Sequence, residues 1–461
     1  MTRSKPLLLT GALLLAACAH AQDQLTPPIQ PKLAPVETPP VVTLPIPPGT
    51  LVVQTPITAE DAGRVALQHQ PQIALAQAAI LQAHGNYLEA AQDLIPNINL
   101  GATYTHEITS SDFGGKGSTV VQNGVPQEPN TFLANASLTQ LLFDFGRTID
   151  AARALQAQQK AADYGLTVAQ SNSVYQVKQD YYSYVQAQGQ VTVAEENLKD
   201  RQDNLALAKA RLNSGLGVPG DVVTAQTNLA SAMLTLVSSR NSVEVAEVKL
   251  ALDMGIDPRT PITTKESAER PVPSQDVNAM VDIALKQRPE VLQDLALLKS
   301  AGYEVAVARK ALLPSISLSA STDWPIWNQG IPQTGTVAIQ LTWNPLNILG
   351  ARGQNDVAQA GVMTAKANLQ TASQTVVSDV SQAFLNVKYA EQSVATSESE
   401  VANAQEGLRL AEGQYKAGVA VYVTVEDAEA NLAQARSDLV NAQAAEQLGL
   451  SQMEHALGQS L

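Results

Sequence analysis

Few residues in this chain have the types and spacing that chemistry requires. Cys18 is the single cysteine, so the chain can build neither a disulfide framework nor a cysteine-based metal site. The five histidines are scattered, with no HExxH and no paired spacing for a metal. No GxSxG elbow, Walker A loop or GxGxxG turn is placed between a strand and a helix. Catalytic residues, cofactors and resident metals are therefore not expected. Lys and Arg number 29 against 43 Asp and Glu, a net charge of −14. That balance argues against a nucleic-acid partner, because phosphate binding needs cations gathered on one face.

Cys18 is the one residue whose setting points to a covalent modification. Arg3 and Lys5 precede an apolar run from Leu7 to Ala17, too short for a membrane span of about 20 residues. Residues 1–17 therefore read as a secretory signal. Leu15-Ala16-Ala17-Cys18 resembles the bacterial lipobox, in which cleavage leaves a lipidated N-terminal cysteine. Plain signal cleavage near Ala19 or Ala21 is the alternative. Ala19 after the cysteine, rather than Asp, fits sorting to the outer membrane. Ten prolines between Pro27 and Pro56 make residues 18–56 an extended tether rather than a domain, with a maximum reach of roughly 118 Å at about 3.1 Å per residue.

The body is one pattern written twice. His69-Gln70-Pro71 and Leu94-Ile95-Pro96 recur as Gln287-Arg288-Pro289 and Leu312-Leu313-Pro314, 218 residues on. Gly215, Ala225, Asn228 and Leu229 recur as Gly418, Ala428, Asn431 and Leu432, 203 residues on. The difference falls in a Gly/Ser/Pro-rich loop after Glu107, from Ser110 to Asn130. The repeats are set at residues 57–262 and 273–461. Each contains a helical stretch broken by Pro71 or Pro289, two short strands, one very long helix (147–212; 351–415), a turn and a last helix (221–252; 421–457). The long helices would each run about 98–99 Å at 1.5 Å per residue, and the flanking helices of the first copy, laid end to end, about 105 Å. Rods of one common length are implied.

Val177, Tyr184, Val191, Leu198, Leu205 and Leu212 recur every seven residues, as do Val380, Val387, Val394, Val401, Leu408 and Tyr415. A strict seven-residue period predicts coiled-coil packing. Four segments alternate instead with period two: residues 97–108, 131–142, 315–324 and 336–343. Ile98, Leu100, Ala102 and Tyr104, for example, oppose Asn97, Asn99, Thr103 and Thr105. Such alternation with aromatics near the ends fits a transmembrane β-barrel. Four strands cannot close a barrel, and an open edge is not tolerated in lipid. Several chains must therefore share one, and three would supply 12 strands. The fold class expected is mainly α with transmembrane β.

Together these features resemble the TolC-like outer-membrane factor family, over about residues 57–457. The duplication, the Leu-Ile-Pro and Leu-Leu-Pro strand entries, Phe143-Asp144-Phe145-Gly146-Arg147, and the turns Gly215 to Asp221 and Gly418 to Val425 carry the resemblance. It implies a homotrimer whose 12-stranded barrel in the outer membrane continues into a periplasmic helical tunnel. Implied partners are a periplasmic adaptor (membrane fusion protein) and an inner-membrane pump. The lipid anchor is similar to that of the subgroup working with resistance–nodulation–division pumps. The resemblance also implies that the helix-turn-helix tips form a gate, with Asp221, Asp427 and Tyr415 in it. Thr424 stands at the earlier acidic position of the second-copy pattern, and the basic residue expected near Ala420 is absent. Asp221, following Gly220 at a helix start, also reads as an ordinary N-cap, and Asp427 as a solvated helix face. Arg211 and the apolar tip residues Leu216, Val218, Val419 and Val421 are candidates for adaptor contact, packing between neighbouring tips being the alternative. The function implied is a passive exit duct for efflux. Rival readings are a type I secretion duct and, in another class, a lipid-anchored periplasmic coiled-coil scaffold.

Overall fold

The computed structural model describes residues 56–106, 121–122, 125–126, 130–265, 276–327 and 333–459, all within one compact unit, Thr50–Leu461. The signal, Cys18 and nearly all of the proline tether lie outside the described residues.

The first repeat contains α1 (Ala59–His69), α2 (Pro71–Gln92), β1 (Asn97–His106), β2 (Val121–Gln122), β3 (Val125–Pro126), β4 (Asn130–Phe143), α3 (Arg147–Asn213) and α4 (Pro219–Asp253). The second contains α5 (Val277–Gln287), α6 (Pro289–Arg309), β5 (Ser315–Trp327), β6 (Thr334–Thr342), α7 (Ile348–Lys416) and α8 (Tyr422–Ala456). Pro71 and Pro289 each open a helix at its first position, where a missing N–H removes no hydrogen bond. Two strands are longer than expected: β4 has 14 residues and β5 has 13. The Gly/Ser/Pro-rich loop between Ser110 and Asn130 also holds a small ladder, β2 paired with β3.

The long helices α3 and α7 have 67 and 69 residues, each about 100 Å. Helix α3 packs against α1, α2 and α4. Where α1 and the end of α4 meet, near the middle of α3, one core forms from Ala62, Ala66, Val177, Tyr181, Tyr184, Leu250 and Met254. The second copy builds its counterpart from Met280, Ala284, Val376, Val380, Leu450 and Met453. The flanking helices thus lie end to end along the long one. None of the twelve heptad residues is exposed, and Val177 and Val380 are fully buried.

One four-stranded antiparallel sheet joins the copies, in the order β1-β4-β5-β6. Its register places Ile98, Leu138, Ala320 and Val337 in one row, and Asn99, Ser137, Ser321 and Thr336 in the next. Successive residues on a strand point to opposite faces, so one face is apolar and the other polar. Tyr104, Phe132 and Trp327 form a row at the end far from the helices. Both edge strands, β1 and β6, are exposed along their whole length.

At the junction from β4 to α3 the backbone takes two successive left-handed residues, Phe145 (φ 60°) and Gly146 (φ 76°). The Asp144 carboxylate holds this bend. It accepts from Gly146 N–H (3.0 Å), Thr148 N–H (2.7 Å) and the Thr148 hydroxyl (2.6 Å). These bonds favour the charged form and keep its pKa below the ordinary value despite burial.

Candidate functional site: the paired helical tips

Each repeat ends its long helix on a glycine in the left-handed region, Gly215 (φ 73°) and Gly418 (φ 77°). Both turns are Schellman motifs. Leu216 N–H donates to Arg211 C=O and Gly215 N–H to Leu212 C=O. Val419 N–H donates to Gln414 C=O and Gly418 N–H to Tyr415 C=O in the same way. The α3–α4 and α7–α8 hairpins thus turn by one mechanism at one end of the molecule. Leu205, Ala208, Ala225, Leu408, Ala411, Tyr415, Tyr422 and Val425 form a shared apolar core just above the turns.

Tyr415 is the centre of the contact between the hairpins. It is 2% exposed, and its hydroxyl donates to Asp221 Oδ2 at 3.0 Å. The Arg211 guanidinium sits 4.3 Å from the centre of its ring, a cation–π geometry. Arg211 Nη1 also donates to the backbone carbonyls of Tyr415 and, at 3.3 Å, Lys416, while Nη2 donates to that of Leu216 at 3.2 Å. Tyr422 meets the Tyr415 ring edge-on at 5.6 Å. Burial and the facing Asp221 carboxylate raise the Tyr415 pKa, so the phenol stays a donor.

The site residues expected from sequence divide into three sets. Arg211, Tyr415 and Asp221 come together as a bridge between the hairpins, with Arg211 occupied by carbonyls of its own chain. Asp427 lies exposed on α8, outside that bridge. Leu216 (73%), Val218 (62%), Val419 (80%) and Val421 (69%) are exposed, so they do not pack against one another within one chain.

The N-cap reading of Asp221 is corrected. Helix α4 begins at Pro219 with Val218 as its cap, and no side-chain capping bond forms. Proline's fixed φ suits the first helical position, which moves the start two residues upstream. Asp221 falls in the first turn, where the helix dipole favours its charge and its side chain is left to meet Tyr415.

Sequence reasoning missed a buried ion pair on the same seam. Arg201 of α3 bonds Glu429 of α8, and Glu429 is 2% exposed. Its signal was present: Arg201 stands in register with the buried Leu205 and Ala208, and Glu429 between Val425 and Leu432. Opposite charges occupied core positions of two apolar stripes.

Among the described residues no helix is long and apolar enough to cross a membrane, and no group of three or more His, Cys, Asp and Glu could hold a metal ion. The first finding leaves the sheet as the element to ask about lipid.

Comparison with known proteins bears on this geometry. The family model described as "Outer membrane efflux protein" matches residues 63–255 and 280–459. The outer membrane efflux protein BepC of Brucella suis is 27% identical over 313 residues, covering 66% of this chain and 67% of its own. The outer membrane protein TolC of Escherichia coli is 25% identical over 373 residues, covering 77% and 72%. The crystal structure of the outer membrane protein VceC from Vibrio cholerae superposes with a TM-score of 0.75 at 21% identity. It covers 87% of this chain and 96% of that one.

Proposed function

The chain belongs to the outer membrane efflux protein family, and on that premise we propose that it is the exit duct of a tripartite efflux system. Three copies would pool their sheets into one 12-stranded outer-membrane barrel and their helices into a tunnel through the periplasm. The observation that carries this reading is the sheet itself. Its apolar face is bare: Leu100, Val337 and Ile339 are each more than 70% exposed. Its edges β1 and β6 have no partner strand among the described residues. In lipid, unpaired backbone groups cost several kcal/mol each, so only closure against further copies satisfies both features. Twelve strands exceed the roughly eight at which side chains fill a barrel, which leaves an aqueous lumen lined by the Asn and Ser rows.

The helical rods support the same assembly. Helix α4 carries an apolar stripe, Leu234, Val237, Val245, Val248 and Leu252, exposed in the single chain and spaced three, four or eight residues apart, so that all fall near one face. A neighbouring copy's rods would cover it. At the tips, the Arg211–Tyr415–Asp221 bridge would hold the hairpins closed. The exposed Leu216, Val218, Val419 and Val421 offer a periplasmic adaptor an apolar landing. An inner-membrane pump would supply the energy, one of the resistance–nodulation–division type fitting the lipid anchor proposed at Cys18. A solitary periplasmic scaffold would have no use for the bare sheet.

The deciding experiment is purification of the full chain in detergent, with measurement of its mass and its conductance in planar bilayers. A species of three chains that conducts ions supports the duct. A water-soluble monomer without conductance ends it. Acyl labelling that disappears in Cys18→Ser tests the anchor separately.

A further inference from the structure

Ten residues above Arg211 on α3, about 15 Å along the helix, the seam between the hairpins changes character. Above the shared apolar core, charged and polar pairs join α3 to α8. Arg436 pairs with Glu196 (3.1 Å) and Asp200 (2.9 Å), and Gln190 bonds Ser437 (3.0 Å). The buried member of this series is Arg201–Glu429.

We propose that Arg201 and Glu429 form a second latch between the two hairpins, which closes by taking up a proton and loosens as the proton leaves. The latch deepens the duct reading above and rests on it for its role in gating.

The geometry asks for that proton. One Glu429 oxygen bonds Arg201, while Oε1 is buried with no hydrogen-bond partner. A buried carboxylate satisfied on one side only is costly in its charged form. Further carboxylates face it from every packed element: Asp200 on α3, Glu412 on α7 and Glu426 on its own helix α8. The other cations nearby are engaged elsewhere, Arg436 with Asp200 (2.9 Å) and Lys416 with Glu412 (2.9 Å). Glu426 accepts from Asn228 of α4 at 2.9 Å, and Tyr422 stands about two turns away on α8, its own phenol raised chiefly by burial and next by the Glu429 charge. Arg201 is therefore the one cation set against a crowd of carboxylates. Protonating Glu429 relieves their repulsion, and the carbonyl oxygen of the neutral acid still accepts the Arg201 hydrogen bond.

Burial, then these carboxylates, push Glu429 up to about 7 against the pull of Arg201. With the hairpins parted and the group hydrated, it returns to about 4.5. An acid whose pKa is raised in the closed form favours closure at low pH. The stabilisation is complete below about 4.5 and is lost as pH rises through about 7. Between pH 6 and pH 8 the closed-to-open ratio of the seam falls about tenfold per chain.

The test uses the full chain in its native assembly. Hydrogen exchange of residues 196–206 and 425–433 is followed at pH 6, 7 and 8, corrected for the intrinsic pH dependence of exchange. Wild-type protection is expected to fall about tenfold from pH 6 to pH 8. Glu429→Gln, which fixes the neutral form, should hold pH-6 protection throughout. Flat wild-type protection, or an undiminished pH dependence in Glu429→Gln, overturns the latch. Should Glu429→Gln fail to fold, Asp200→Asn replaces it. Loss of that neighbour must move the midpoint to lower pH, and an unmoved midpoint overturns the proposal equally. Bilayer conductance separates the two readings. A pH-dependent seam in a protein that never conducts would leave the latch standing and remove the duct.

Discussion

The Tyr415 hydroxyl donates to the Asp221 carboxylate across 3.0 Å, linking residues from opposite copies of the repeat, 194 positions apart in the chain. A hydrogen bond to a charged acceptor contributes about 1.5–3 kcal/mol. Tyr415→Phe removes it while keeping the ring beneath Arg211, so the cation–π contact survives. The expected result is a rise in the open population of roughly tenfold or more, read as higher bilayer conductance with unchanged assembly mass. Equal conductance in wild type and variant would show that the bond does not hold the tips.

The two turn glycines allow a cleaner test of backbone strain. Gly215 and Gly220 both have open space where a Cβ would stand, but only Gly215 has a positive φ. Gly215→Ala should therefore destabilise the hairpin by about 1 kcal/mol. Gly220→Ala, in the first turn of α4, should stabilise it by up to about 1 kcal/mol. Thermal unfolding followed by circular dichroism must shift in opposite directions. Shifts of the same sign would mean that crowding rather than φ governs these positions.

Local periods explain what the sequence made legible. Heptads and strand alternation are properties of ten to forty consecutive residues, and the twelve seam positions and the two sheet faces follow from them directly. The duplication was legible because both copies kept their Pro and Gly landmarks. Long-range pairing was not. Asp427 and Glu429 are two residues apart, about 200° around a helix, so only one can face the seam. The family pattern pointed to Asp427, whereas packing turned Glu429 inward, and its partner Arg201 lies 228 residues away. The start of α4 shifted for a local reason, the preference of proline for a first helical position, which outweighed Asp221 as a cap.

A second titrating group, Asp253, lies midway along the rods. The neighbouring Asp180 carboxyl, with burial, raises Asp253 to about 6. Lys249 pairs with Asp180 at 2.6 Å. The folded form binds a proton more tightly than the unfolded one, whose value is about 3.8. Stability from this group is thus complete below about 3.8 and is lost as pH rises through about 6. Asp253→Asn should raise the melting temperature at pH 8 and leave it nearly unchanged at pH 4. A variant equally stabilised at both values would place the effect outside this titration.

The two faces of β1 allow the membrane reading to be tested with neighbouring residues. Leu100 shares the apolar face with Ile98 and Tyr104, while Asn99 lies in the row of Ser137, Ser321 and Thr336. If the apolar face meets lipid, Leu100→Arg places a charge there, at about 2–4 kcal/mol near mid-bilayer. Asn99→Arg adds the same charge to a watery lumen at little cost. Membrane-inserted, heat-stable assemblies should fall sharply for the first substitution and persist for the second. The second should also weaken cation passage, since the lumen would gain one positive charge per chain. Equal loss in both would mean that the sheet is packed on both sides by protein. Equal tolerance would mean that neither face meets hydrocarbon.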